Sequence, residues 1–263
     1  MNAETRPQPI LEADGVSVRL GGRLVVEGAS LALRRGELCV LVGPNGAGKT
    51  TLMRALAGLV GSEGRIRLDG RPLGDFSARE RARQIAYLPQ GHVFHWPLSA
   101  AAIVALGRHP HADPFAQRSE ADGAAVARAL AATGSAEFAE RSVLTLSGGE
   151  RARVALARAL ATEAPVLLAD EPTASLDPRH QLIVMEQLRA AAHAGGAVLA
   201  IMHDLALAAH FADRVLVMDA GHIVTQAPPA EALSVERIAS VFGVEAVFVE
   251  TDARALPIAL RPL

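Results

Sequence analysis

Lysine is all but missing from this chain. Of its 26 basic residues 25 are arginine, and the one lysine, Lys49, stands among glycines in GPNGAGKT, Gly43 to Thr50. Cysteine is nearly missing too, and Cys39 alone cannot supply a disulfide framework or a cysteine-rich metal site. Neither sign of charge dominates: a formal net charge of −2 gives no electrostatic reason to expect a nucleic-acid surface. The N-terminal MNAETRPQPILEAD lacks the apolar segment of a secretory signal. Long apolar runs are also wanting. The best candidate, AVLAIMHDLALAAHFADRVLVM, is interrupted by His203, Asp204, Asp213 and Arg214, short of the ~18 uncharged residues that a span needs. No stretch is expected to cross a membrane, which leaves docking on a protein that does.

What is present is globular material. With 50% apolar and 21% charged residues, 263 residues can bury roughly three quarters of their unfolded surface in one or two domains. ILEADGVSVRL and RLVVEGASLAL alternate with period two and read as antiparallel strands, and LCVLV reads as a buried strand. TLMRALAGLV, closed by Gly61, fits a helix, and GRIRLDG another short strand. Ser77 and Glu80 form a capping box before the strand IAYLPQ, and ARERARQ reads as a solvated helix face. From about 97 to 161 the chain turns alanine-rich and helical, with breaks at GRHPHADP and near Gly134. VLLAD, AVLAIMH and RVLVMDAG return as buried strands, the first two separated by the helix DPRHQLIVMEQLRAAAHAGG. Such alternation specifies an α/β fold with a doubly wound parallel sheet, here carrying an antiparallel edge and a helical insertion. AVFVE and ALPIALRPL, around TDAR, read as a small C-terminal hairpin.

The position of the lysine has a chemical explanation. Gly43, four residues, then Gly48, Lys49 and Thr50 is the phosphate-binding loop pattern, set as it should be between a buried strand and a helix start. Glycines let successive backbone N–H groups converge on an anion, and the helix N-terminus adds positive potential. A compact ammonium fits between β- and γ-phosphates where a flat guanidinium would collide with the cradle, and Thr50 offers its hydroxyl to Mg²⁺.

Four further stretches carry chemistry. In LSGGE, Ser147 and Glu150 form a capping box, and nothing more is required to explain them. Gly148 and Gly149, however, weaken the first turn, which suits a second anion approaching the backbone. VLLADE ends a strand on two carboxylates. After a phosphate loop, Asp170 would hold Mg²⁺ through water or Thr50 and Glu171 would polarise the attacking water. His203 ends the strand AVLAIMH at the carboxyl edge of the sheet, near a γ-phosphate. Gln90 can complete Mg²⁺ coordination or position water, and Ser175–Asp177 reads by itself as turn chemistry.

In this order the set closely resembles the nucleotide-binding subunit of ABC transporters over about residues 10–242. Gly43, Pro44, Asn45, Gly46, Ala47, Gly48, Lys49, Thr50 and Thr51 match that family's phosphate loop, and Gln90 its Q-loop. Ser147, Gly148, Gly149 and Glu150 match its signature, Asp170 and Glu171 its Walker B end, Asp177 its D-loop and His203 its switch histidine. The resemblance implies a P-loop NTPase of ABC type, with a RecA-like core and antiparallel β part at 8–96 and 161–243. A helical signature subdomain at 97–160 and a short extension at 244–263 complete it. It implies an ATPase using ATP and Mg²⁺, working as a head-to-tail homodimer with each ATP between one copy's loop and the other's signature, and Glu171, His203, Gln90 and Lys49 supporting hydrolysis. It also implies polytopic permease partners, an indirectly engaged solute-binding protein, and a peripheral position on the cytoplasmic face of the inner membrane. One departure is that Leu20 stands where family members stack an aromatic residue on adenine.

VALGRHPH, DPRHQLIVMEQLR, HDLALAAHFADRVLVMDAG and VFGVE resemble the subgroup that serves importers of iron siderophores, haem and vitamin B12. His92, His95, His109 and His111 complete no recognisable coordination pattern and read as a solvated or partner-facing loop. Phe94 and Trp96 read as an exposed anchor for a permease helix. The competing function is a soluble ABC ATPase acting on nucleic acid or ribosomes, or a subunit for another solute. One cassette with neither heptad run nor basic patch argues against the first.

Overall fold

The computed structural model describes residues 8–91, 94–112, 119–174, 176–251 and 254–263. Two long alternating strands open the chain, β1 (Pro9–Leu20) and β2 (Arg23–Arg34), paired antiparallel with Leu20 opposite Arg23. β3 (Glu37–Val42) is apolar after its first residue and leads into α1 (Lys49–Leu56). β4 (Glu63–Leu68) returns to β1, and β5 (Arg71–Pro72) edges it. α2 (Ala78–Gln84) precedes β6 (Ile85–Leu88). Three helices follow, α3 (Ala100–Ala105), α4 (Glu120–Ala132) and α5 (Gly148–Leu160). The chain then alternates β7 (Val166–Asp170), α6 (Pro178–His193), β8 (Ala197–Ile201), α7 (Leu205–Phe211) and β9 (Arg214–Asp219), and turns back in β10 (His222–Ala227). α8 (Pro229–Ala232), α9 (Val235–Phe242) and a hairpin of β11 (Val244–Glu250) with β12 (Ala255–Pro262) close it.

The main sheet has the order β10-β9-β3-β8-β7-β6, parallel except for β10. Strands buried on both faces need apolar side chains at every position, which is why LCVLV, VLLAD and AVLAI carry no alternation. One face packs on α1 and the antiparallel sheet through Leu41, Leu52, Leu56, Leu168 and Leu199. The other packs on α5, α6 and α7 through Val40, Leu156, Met185, Leu188 and Phe211.

α5 serves two cores. Ala152, Ala155, Leu156 and Ala159 face the sheet, while Val154 and Ala157 face α3, Phe138 and Val143. Alanine on both faces lets neighbouring backbones come close. An added Cβ at Gly107, just after α3, would lie 2.2 Å from the Arg158 carbonyl oxygen of α5. Arg108 then donates to Asp122 Oδ1 at 2.8 Å, to the Ala161 carbonyl at 2.9 Å and to Glu163 Oε2 at 2.9 Å. His111 Nε2 lies 2.9 Å from the Thr162 carbonyl oxygen.

Three expectations need correction. The first helix ends at Leu56, not at Gly61: Gly58 takes φ +67°, and the Gly58 and Leu59 amides close a Schellman motif on Ala55 and Arg54. The arginines of ARERARQ are not merely solvated. Arg83 donates to the Pro110 carbonyl at 2.7 Å, and Arg79 donates to the Pro110 and Ala112 carbonyls, tying α2 to the segment beyond α3. The Phe94–Trp96 pair also splits, with Trp96 70% exposed and Phe94 half-buried against two cores. His92 lies outside the described residues. Among those residues no helix is long and apolar enough to cross a membrane.

Replacing Gly107 by Ala should therefore destabilise the fold by ~1–3 kcal/mol, the usual cost of overpacking a close contact. The denaturant midpoint measures it, and an unchanged midpoint would show that α5 is not held against this turn.

Candidate functional site

Every helix of eight residues or more described here begins with a Ser or Asp side-chain cap, except α1. Gly48 stands at its N-cap with φ +98° and no side chain to offer. The first amides of α1 are thus left for an outside acceptor, and an anion is the natural one. Gly43 and Gly48 are also fixed by space. A Cβ on Gly43 would come within 2.1 Å of the Met218 carbonyl oxygen, and one on Gly48 within 2.7 Å of that of Val25. Ala47 is buried, and its carbonyl accepts from the Gly221 amide. The loop is anchored to β9 and β2, and the Ala47 amide donates to the Pro44 carbonyl at 3.2 Å, while the start of α1 has no side-chain cap.

Lys49 folds back beneath this loop. Its ammonium donates to the Gly43 carbonyl at 2.7 Å and to the Pro44 carbonyl at 2.9 Å, and the residue is 6% exposed. Burial pulls its pKa down, and the Glu171 and Asp170 carboxylates push it back up.

Parallel strands deliver the remaining groups to one edge. Gln90 lies two residues beyond β6, Asp170 ends β7 with Glu171 next after it, and His203 lies two beyond β8. Gln90 Nε2 donates to Glu171 Oε2 at 2.7 Å, and His203 Nε2 meets Glu171 Oε1 at 2.7 Å. With a carboxylate accepting, the proton of His203 sits on Nε2. Glu171 itself adopts φ +52°, a left-handed conformation rare outside glycine, which turns its side chain away from the strand's alternation. Asp170 is fully buried, with Oδ1 accepting from the Thr50 hydroxyl at 3.2 Å and Oδ2 from the Tyr87 phenol at 3.3 Å. Its pKa is raised, chiefly by burial and partly by Glu171, against the two hydroxyl hydrogen bonds that lower it.

Asn45, Gly46, Gly48, Lys49, Thr50, Thr51, Gln90, Glu171 and His203 line one pocket of about 530 Å³, joined by Val25. Gly43, Pro44 and Ala47 of the same loop are not among its lining residues. Leu20 is 45% exposed but does not line the pocket, so Val25 is its apolar wall. Ser147, Gly148, Gly149, Glu150 and Asp177 are not among the lining residues either. Ser147 caps α5 in a full capping box, with Glu150 also receiving Arg141 at 3.1 Å. Asp177 caps α6 and accepts from His180. Ser175 lies outside the described residues. Two residues of the site went unread in the sequence, Val25 and Tyr87. Only the rarity of tyrosine, present once, marked the latter.

The donor set around Asp170 suits a hard cation. Asp170 does not line the pocket, but its carboxylate accepts from the Thr50 hydroxyl, which lines it together with Gln90, and such an oxygen set is of the kind Mg²⁺ takes and zinc does not favour.

The fold and pocket are those of an ATP-binding cassette, and the chain belongs to the ABC transporter family, whose model matches residues 26–174. A hemin import ATP-binding protein, HmuV, of Streptomyces coelicolor is 49% identical over 231 residues, 88% of this chain and 82% of that protein. A cobalamin import ATP-binding protein, BtuD, of Halobacterium salinarum is 41% identical over 255 residues, 96% of this chain and 63% of that one. An inward-facing metal-chelate type ABC transporter shares the fold with TM-score 0.82, covering 97% of this chain and 98% of that one at 23% identity. A dimeric ATP-binding cassette in a post-hydrolysis state with ADP and phosphate matches with TM-score 0.73 at 25% identity, over 83% of this chain and 98% of that one.

Burial of Asp170 has a consequence for stability. A carboxyl whose folded pKa lies above its unfolded value binds its proton more tightly when folded, so its ionisation costs stability above the folded pKa. Asp170→Asn should raise the melting temperature at neutral pH, and the gain should shrink as pH falls through the raised pKa. Melting curves of both proteins from pH 4 to 8 test the sign. A lower melting temperature at neutral pH would mean the carboxylate stabilises the fold.

Proposed function

We propose that this chain is the ATP-hydrolysing subunit of an ABC importer for haem or a related metal chelate, including cobalamin. The observation that carries the ATPase part is the convergence of Lys49, Thr50, Gln90, Glu171 and His203 on one pocket beneath the uncapped start of α1. The cargo class is supported by the relatives that are hemin and cobalamin import proteins.

In this reading the amides of Gly46 to Thr51 and the Lys49 ammonium hold the β- and γ-phosphates. Thr50, Asp170 and Gln90 are the residues that would hold Mg²⁺, which when bound neutralises charge on the phosphates. Glu171 accepts the proton of the attacking water, and His203 orients that carboxylate through its Nε2 hydrogen. Each oxygen of Glu171 carries one of these hydrogen bonds, which leaves a lone pair on either oxygen to take the proton of the water.

The pocket is half of a site. At Gly148 an added Cβ would meet nothing within 4 Å, so packing inside this chain does not explain the glycine, whereas approach of a ligand from outside does. A second copy, head to tail, would bring Ser147–Glu150 and Asp177 to the nucleotide, in line with the dimeric cassette of similar fold. The division into 8–96 with 161–243, 97–160 and 244–263 follows the same reading. The permease would dock near Trp96, holding the subunit on the cytoplasmic face of the inner membrane beneath a permease fed by a solute-binding protein.

Lys49→Ala should weaken ATP binding by the ~1.5–3 kcal/mol of a hydrogen bond to a charged group. Calorimetry with ATP checks it, and unchanged affinity would remove the phosphate-loop assignment. Glu171→Gln should bind ATP but hydrolyse it about 10²-fold or more slowly, as expected for loss of a general base. Wild-type phosphate release by this variant would give the base role to another residue. Cargo is tested by co-purifying the Glu171→Gln protein with its permease in Mg·ATP, then assaying haem and cobalamin uptake in vesicles that carry that permease with the wild-type chain. Uptake of neither would sink the cargo assignment.

A further inference from the structure

Tyr87 is the chain's only tyrosine, and nothing in the hydrolysis scheme above uses it. It lies on β6 opposite Leu168 of the parallel neighbour β7. Residues two apart on a strand share a face, so Leu168 and Asp170 both point toward α1, and Tyr87 is the diagonal neighbour of Asp170 on that side. The contacts follow from this register. The two oxygens of the fully buried carboxylate each receive one side-chain hydroxyl, from different elements: Oδ1 from Thr50 on α1 at 3.2 Å, Oδ2 from Tyr87 on β6 at 3.3 Å.

The two bonds differ in what else their donors do. Thr50 lines the pocket, so its hydroxyl is shared between the carboxylate and whatever the pocket holds, whereas Tyr87 does not line it. Arg54, one helical turn beyond Thr50 on α1, stands beside both the phenol and the carboxylate. Buried polar atoms need partners, and with the phenol removed Oδ2 loses the only hydrogen bond described for it, leaving the carboxylate plane free to turn away from Thr50.

We propose that Tyr87 is a positioning residue for the divalent cation: its O–H fixes Asp170 Oδ2, and thereby keeps Oδ1 turned toward Thr50 and the nucleotide pocket. This rests on the reading of Thr50 and Asp170 as the Mg²⁺ site. Hydrogen bonds that orient metal ligands are typically worth about 10–100-fold in metal affinity.

The test compares wild type, Tyr87→Phe and Asp170→Asn as full chains. Mn²⁺ binding in the presence of saturating ADP is read from the electron paramagnetic resonance of free Mn²⁺, and ADP binding in EDTA from calorimetry. Tyr87→Phe should weaken Mn²⁺ about tenfold while leaving the metal-free ADP affinity unchanged. Wild-type Mn²⁺ affinity in Tyr87→Phe, with a loss in Asp170→Asn, would overturn the proposal and leave the cation site standing. An equal loss of ADP affinity in EDTA would overturn it too, by making the phenol a packing group. Wild-type Mn²⁺ affinity in both variants would remove the cation site itself, and the proposal with it.

Discussion

The unspent amides at the start of α1 are the constraint on which the rest of the site depends. A helix N-terminus buried without a cap leaves backbone donors unpaired, a cost that persists only where a partner arrives from outside. Around that end the chain has given up side chains at Gly43, Gly46 and Gly48 and drawn the lysine underneath, where two carbonyls hold it. The fold itself fixes two of these glycines, Gly43 against Met218 and Gly48 against Val25, while Asn45, Gly46 and Gly48 to Thr51 line the pocket. Rigidity and unpaired donors together make a site that pays its ordering cost before the anion binds.

The carboxylates continue the same logic at the neighbouring strand end. Asp170 is kept in the low dielectric by two hydroxyls, and Glu171 is turned by a backbone conformation that costs an ordinary residue about 1–2 kcal/mol. Strain of this kind collects where geometry matters more than stability. Glu171 is further tied to Gln90 and His203, so the group proposed as base, one proposed cation ligand and the histidine form one hydrogen-bonded set spanning β6, β7 and β8. Moving any of them disturbs the others.

α5 ties the site to the rest of the fold by packing in two cores. Because one side of it belongs to the sheet core and the other to the helices after β6, a shift of its Ser147 end cannot be confined to either. The segment 106–112 reinforces the link, with Arg108 grasping the start of α4 and the end of α5 and Arg79 and Arg83 of α2 grasping Pro110. A subunit built to pass phosphate-driven motion to a membrane partner needs such stiff two-sided connections.

Much of this was readable beforehand because local chemistry decided it. The phosphate loop, the capping boxes at Ser77 and Ser147, and the strands LCVLV, VLLAD and AVLAI depend on spacing and apolar runs that few neighbours can override. Other features depended on what lay across space. The early end of the first helix is the local exception, a Schellman turn that Gly58 closes. ARERARQ looked solvated until Pro110 and Ala112 came within reach. The sequence by itself determined which residues can bind phosphate and carry acid and base groups, because residue type fixes charge and donor geometry. Only the tertiary structure decided that Tyr87 and Val25 join them, that Glu171 is held from both sides, and that Ser147–Glu150 stands apart from the pocket. Those are consequences of strand register and helix packing, which bring together residues far apart in the chain.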